Sequence, residues 1–128
     1  MSFFTASYTI TTTGTQTFSS IPFEPKGYRL TVANKLGEAS DTNARFGTGG
    51  SDGTNQWAVA TLVNSDGKFT RNYTDHCLAG LTTVSGSANR SISATHTSFN
   101  NDGGGSWSIT VNFDEADDDF KVFLEVFS

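Results

Sequence analysis

Residues 106–113, Ser-Trp-Ser-Ile-Thr-Val-Asn-Phe, set a hydroxyl or amide against a large apolar side chain at every step. An extended strand sends successive side chains to opposite faces. Trp107, Ile109, Val111 and Phe113 therefore share a dry face, and Ser106, Ser108, Thr110 and Asn112 a wet one. A helix would scatter the same residues around its circumference. The period of two recurs where Tyr28, Leu30 and Val32 alternate with Arg29, Thr31 and Ala33. Residues 2–10, 14–20, 56–63, 76–84 and 90–99 read as further strands, 44–47 as a short one, and 120–127 closes the chain. No segment carries a helical period.

Punctuation between these runs points to antiparallel pairing. Asp-Gly occurs at 52–53, 66–67 and 102–103, each time between apolar stretches. That dipeptide suits turns needing positive φ, the hairpin turn among them. Pro22 and Pro25 bracket the start of the 28–32 strand, where a missing backbone donor costs little. With no internal repeat and no linker, residues 1–128 are expected to form one all-β domain, a single antiparallel β-sandwich of about eight strands.

The closing strand carries a second message. Phe120, Val122, Leu124 and Val126 make one apolar face, yet the opposite face holds Phe123 and Phe127 beside Lys121 and Glu125. Phe3 and Phe4 likewise point to opposite sides of the first strand. A monomer has no evident use for apolar groups on both faces of its terminal strands. Phe3, Phe123 and Phe127 are thus the candidate oligomer interface, with cover by a loop of the same chain as the alternative.

Composition bounds the partners. Charged residues make up 16% of the chain, against roughly 25% in an average soluble domain. Ser, Thr, Asn and Gly take their place, which fits neutral, hydroxyl-rich sheet faces. The formal net charge of −5, with no cluster of Lys or Arg, disfavours a phosphate backbone, so no nucleic acid is expected. The apolar runs are far too short for a membrane span, and no membrane partner is expected. The first ten residues lack a basic segment followed by a long apolar core, so a signal peptide is not expected. Cys77, alone in the chain, fits synthesis in a reducing cytosol.

Each chemically suggestive motif has a plainer reading. A phosphate-cradling glycine loop needs a helix after it, whereas Gly47–Asn55 leads into the strand-like 56–63, so the segment is read as a turn. Asp75-His76-Cys77 lines up an acid, a base and a thiol, but neighbours on a strand face opposite ways. Cys77 is read as core. His96 could meet His76 across strands, yet two histidines without a third ligand make a poor metal site. No catalytic residue and no cofactor are assigned.

The run Asp114-Glu115-Ala116-Asp117-Asp118-Asp119 packs five carboxylates into six residues. It is read as a solvated loop whose charge discourages aggregation, with a calcium site at Asp114, Asp117 and Asp119 as the alternative. Trp57 and Tyr73, near Asn55, Gln56 and Asn72, are the candidate glycan contacts. Trp57 also heads a Val59, Thr61, Val63 face, which favours placing it in the core.

Three further segments carry a resemblance: Phe23, Pro25 and Lys26 before an apolar strand; then Gly47, Gly49, Asp52, Gly53, Thr54 and Gln56; then Ser98, Phe99, Asp102 and Gly103. This pattern, over roughly residues 18–127, resembles small all-β virion structural proteins of tailed bacteriophages. The extra Gly104-Gly105 and the acidic run depart from it. The resemblance implies a jelly-roll-like sandwich that decorates a capsid or builds a tail or fibre, made in a bacterial host cytoplasm and displayed on the virion surface. It implies a homo-oligomer, expected to be a trimer, in contact with other virion proteins, and no catalytic residues. A carbohydrate-binding adhesion module that recognises a host-surface glycan is the alternative function.

Overall fold

Alternation organises the chain from end to end. The computed structural model describes residues 1–38 and 43–128. Among them run ten strands: β1 (Phe3–Ile10), β2 (Gly14–Ile21), β3 (Gly27–Val32), β4 (Asn43–Ser51), β5 (Gln56–Asn64), β6 (Gly67–Tyr73), β7 (Leu78–Val84), β8 (Ser87–Gly103), β9 (Ser106–Ala116) and β10 (Phe120–Phe127). They form a six-stranded sheet in the order β1-β10-β3-β4-β5-β6 and a four-stranded sheet in the order β2-β9-β8-β7. All pairings are antiparallel. The fold is thus an all-β, two-sheet sandwich, and neither sheet closes into a barrel.

Two topological devices build it. β1 pairs with β10 in one sheet while β2 pairs with β9 in the other, so the two ends of the chain cross the sandwich together. Between them, β3 to β6 meander through the six-stranded sheet and β7 to β9 through the four-stranded one. The ten strands correct the expected eight or so. Residues 67–73, which follow the Asp66-Gly67 signal, form the return arm of a hairpin with β5. The short 44–47 strand extends to Ser51, β7 starts only at Leu78, and β8 continues past residue 99 to Gly103.

The turns use left-handed backbone, though not always where Asp-Gly stands. Between β8 and β9 the turn is Gly104-Gly105, at φ 64° and 82°, and Gly103 already pairs with Ser106. Two consecutive positive φ values are the type I′ requirement, which matches the right-handed twist of flanking strands. At the β4–β5 turn, Asp52 accepts hydrogen bonds from the Thr54 and Asn55 amides at 2.8 and 2.6 Å. Those bonds hold the carboxyl of Asp52 below its ordinary range.

The main core lies between the sheets. The inward rows Tyr28, Leu30, Val32 and Phe120, Val122, Leu124, Val126 meet Phe18, Ile109, Val111 and Phe113 of the other sheet. At the far end the core becomes thin. There Ala58, Ala60 and Leu62 of β5 cover Ala79 and Leu81 of β7.

Gly47–Ser51, expected to be a turn, is strand: it pairs with β3 on one side and β5 on the other. The glycines serve close approach. A Cβ on Gly47 would collide with the Ala79 carbonyl, and one on Gly49 with the carbonyls of Cys77 and Trp57. Side-chain-free backbone lets β4 settle directly onto β7.

Candidate functional site

The outer face of the six-stranded sheet gathers the large apolar side chains that folding leaves exposed. On β1 and β10 the register sets Phe3 opposite Phe127 and Ser7 opposite Phe123. The Phe3 and Phe127 rings meet edge to face, their centroids 5.3 Å apart. Phe3 is 61% exposed and Phe123 49%, while Phe127 is partly covered. Arg29 of β3 bonds Glu125 across the same face at 3.1 and 3.2 Å. The three phenylalanines expected at an interface therefore share one surface, and Phe4 turns inward to the core.

That surface continues across β4 and β5. Phe46, Trp57, Val59 and Val63 are exposed on it, separated by a Thr31–Thr48 pair whose hydroxyls lie 3.3 Å apart. The expectation that Trp57, Val59 and Val63 form the core face of their strand is inverted. Ala58, Ala60 and Leu62 face inward, and Trp57 is 45% exposed. The close approach of the sheets accounts for this: where β4 and β5 meet β7 the inward row is Ala58, Ala60 and Leu62, with no room for a tryptophan. Shallow depressions open on the face among the described residues. One of about 510 Å³ runs along Thr5, Ser7 and Phe123. Another of about 250 Å³ lies between Trp57, Arg29, Asp52 and Phe127, and a third of about 440 Å³ beside Phe46 and Val63.

Trp57 and Tyr73 do not converge. Tyr73 stands opposite Ala58 and so shares the inward face, partly buried against the small-residue core. A glycan stacked on Trp57 would have the whole sheet between it and Tyr73.

A polar network brings together residues that the sequence holds far apart. His76 is buried ahead of β7, with Nδ1 2.8 Å from Asp75 Oδ1 and Nε2 2.9 Å from Asp114 Oδ2. Arg90 Nη1 lies 3.1 Å from the same Nε2. That nitrogen serves one neighbour at a time: with a proton it donates to Asp114, without one it accepts from Arg90. Ser93 Oγ donates to Asp114 Oδ1 at 2.7 Å. Tyr73 packs edge to face on His76, and the Arg90 guanidinium sits over the Tyr73 ring.

The hydrogen bonds set the carboxyl protonation. Asp75 is held below the ordinary carboxylate range by its bond from His76. Burial pushes Asp114 upward, but the bonds from His76 and Ser93 outweigh it and the net shift is down. The geometry is not that of an activated nucleophile. Nucleophilic attack needs the hydroxyl on the imidazole nitrogen, whereas the Ser93 proton points at a carboxylate. The network instead ties the start of β7 to β8 and β9.

Other candidates fall elsewhere. His96 does not meet His76; its Nδ1 is 2.9 Å from the Tyr28 hydroxyl, and burial lowers its pKa. Cys77 is buried, its thiol bonded to the Ala94 carbonyl at 3.4 Å, and burial pushes its pKa up to about 11. The acidic run is not one loop, since Asp114, Glu115 and Ala116 belong to β9 and only Asp117, Asp118 and Asp119 connect to β10. Asp114 turns to His76, and Asp118 pairs with Lys35 at 2.8 Å. Among the described residues no three His, Cys, Asp or Glu side chains are placed to hold a metal ion.

Sequence reasoning set Asp75 beside His76 and noted Asp114 in the acidic run, but it left out Arg90 and Ser93 and did not connect His76 to Asp114. No local signal links residues 38 positions apart; strand order does. No protein-family model, no curated protein and no solved structure matches the chain.

Proposed function

We propose that this protein is a non-enzymatic structural module that self-associates on the surface of a phage-like virion, as a capsid decoration or a tail or fibre component. The observation that carries the self-association is the outer face of the six-stranded sheet, where Phe3, Phe46, Trp57, Val59, Val63 and Phe123 are all exposed on one side. Scattered apolar residues are ordinary on a monomer, whereas large apolar side chains gathered on one sheet face favour a contact surface. The virion setting rests on the resemblance of the turn and strand-start pattern. The wrap of β1/β2 against β10/β9 is the part of the topology that supports a jelly-roll-like reading.

Light scattering after size exclusion should give several times the 13.7 kDa chain mass, with three chains expected. Phe123→Asp together with Phe127→Asp should reduce that mass while leaving the circular dichroism unchanged. A strict monomer at tens of micromolar overturns the reading. Electron microscopy of labelled particles tests the location.

A second reading, glycan binding, is favoured by one feature: exposed Trp57 borders a depression that also offers Arg29 and Asp52. Selective glycan-array binding lost in Trp57→Ala would support it.

A further inference from the structure

A sandwich of two open sheets has four edge strands, here β1 and β6 in one sheet and β2 and β7 in the other. Unpaired edges invite strand addition, and folded chains blunt them with charge, bulges or proline. Three of the four are blunted. β6 carries Lys68 and Arg71. β2 breaks register between Phe18 and Ile21, where Ser20 takes φ 64°. β7 breaks register against β8 between Gly80 and Leu81.

β1 has none of these defences. Its eight residues, Phe-Phe-Thr-Ala-Ser-Tyr-Thr-Ile, contain no charge and no proline, and they hold one-to-one register with β10 throughout. The Ser128 amide donates to the Ser2 carbonyl. By the alternation of an antiparallel ladder, the even-numbered residues of β1 then bond β10. Phe3, Thr5, Ser7 and Thr9 direct their backbone groups outward.

We infer that β1 is a pairing edge for a second copy of this chain, antiparallel and two-fold symmetric about Ala6. The sequence is self-complementary in that register. Phe3 falls opposite Thr9, Phe4 opposite Tyr8, Thr5 opposite Ser7, and Ala6 opposite Ala6 of the second copy. The register respects the faces, outer row against outer row and inner against inner. It brings the outward backbone groups of Phe3, Thr5, Ser7 and Thr9 into about eight inter-chain hydrogen bonds. It places Phe4 and Tyr8, only partly buried at the rim of the core, in cross-strand aromatic pairs. Ala6 stands on the axis, where facing side chains come closest and a small one fits. No charge opposes its own copy. The contact is made by the backbone edge of β1, although the side chains of Phe3, Thr5 and Ser7 also belong to the outer face proposed above, so the Ala6 cross-link rather than the native mass alone separates the two.

Ala6→Cys tests the register directly. With Cys77 buried, the new thiol should cross-link two chains under mild oxidation about tenfold or more faster than a control Asp66→Cys, because paired strands raise its effective concentration. Adding Thr5→Lys and Ser7→Lys, which set like charges opposite one another across the axis, should abolish the cross-link and lower the native mass while the circular dichroism of the folded chain is kept. The Phe123→Asp, Phe127→Asp variant should still cross-link, separating edge from face. Cross-linking of Ala6→Cys no faster than the control overturns the inference, as does a native mass unmoved by the lysine pair.

Discussion

Gly49→Ala should be among the most destabilising single-methyl changes in this protein. The added Cβ has no space to find: it would meet the carbonyl of Cys77, just ahead of β7, and the Trp57 carbonyl of the neighbouring strand. Both obstacles are backbone, so no side-chain rotation relieves the overlap, and the sheets must separate at β4 and β7. Overpacking a close-packed interior costs about 1–3 kcal/mol, and rigid neighbours put this case at the upper end. The gain from a less flexible unfolded chain, about 0.4–1 kcal/mol, offsets only part. Gly27→Ala is the internal control, since its nearest neighbour is the Ser51 carbonyl at 3.3 Å. It should fall within about 1 kcal/mol of the parent. For a chain of this size 1 kcal/mol moves the melting temperature by roughly 3–6 °C, so Gly49→Ala should melt about 6–12 °C lower. Scanning calorimetry and urea midpoints on the pair measure it. A Gly49→Ala protein that melts with Gly27→Ala would refute the idea that these glycines let the sheets touch.

Two further perturbations test the polar interior. Arg45 and Glu38 form a buried ion pair, their side chains 8% and 4% exposed, and Arg45 also donates to the Leu81 carbonyl. Glu38→Ala leaves that guanidinium without its carboxylate and should cost about 3–5 kcal/mol in urea denaturation, whereas Glu38→Leu with Arg45→Met should cost clearly less. Asp75 and Asp114 have folded pKa values below their unfolded ones, so their stabilisation is complete above the unfolded value near 4 and is lost as pH falls through the folded values. The urea midpoint should therefore drop below about pH 4, and Asp114→Asn should flatten that drop; an equal slope in the variant would remove Asp114 from the acid transition.

Strand periodicity was legible wherever one face is core and the other wet. The inward rows of β3, β9 and β10 follow directly from alternation at Tyr28, Trp107 and Phe120. What alternation cannot show is how far apart the two sheets stand. Gly47 and Gly49 look like turn residues because glycine supplies both turns and close approach, and only the position of β7 decides between them. The His76 network was hidden for a related reason. Asp114 sat in an apparent acidic loop, and its place on β9 beside β8 depends on the length of two strands whose ends carry no punctuation. Sequence turn signals also misplaced the β8–β9 turn by two residues, since Gly104-Gly105 satisfies type I′ geometry better than Asp102-Gly103.

The inversion on β5 has a consequence for function. Along that strand the larger side chains Trp57 and Val59 point to solvent, and the smaller Ala58 and Ala60 point to the core. The thin core explains the alanines, because a wider side chain would push β5 off β7. It does not explain the tryptophan. Folding alone would be served by Thr or Lys at positions 57, 59 and 63, as it is at Thr61, Lys68 and Thr70 on the same outer face. Apolar bulk placed outside a core too narrow to take it adds nothing to the monomer's interior and exposes aromatic surface to water at about 25 cal/mol per Å². The same holds for Phe3 and Phe123 at the other end of the sheet. Under the self-association proposed here, burial of the six-stranded sheet's outer face would remove that cost at both ends at once.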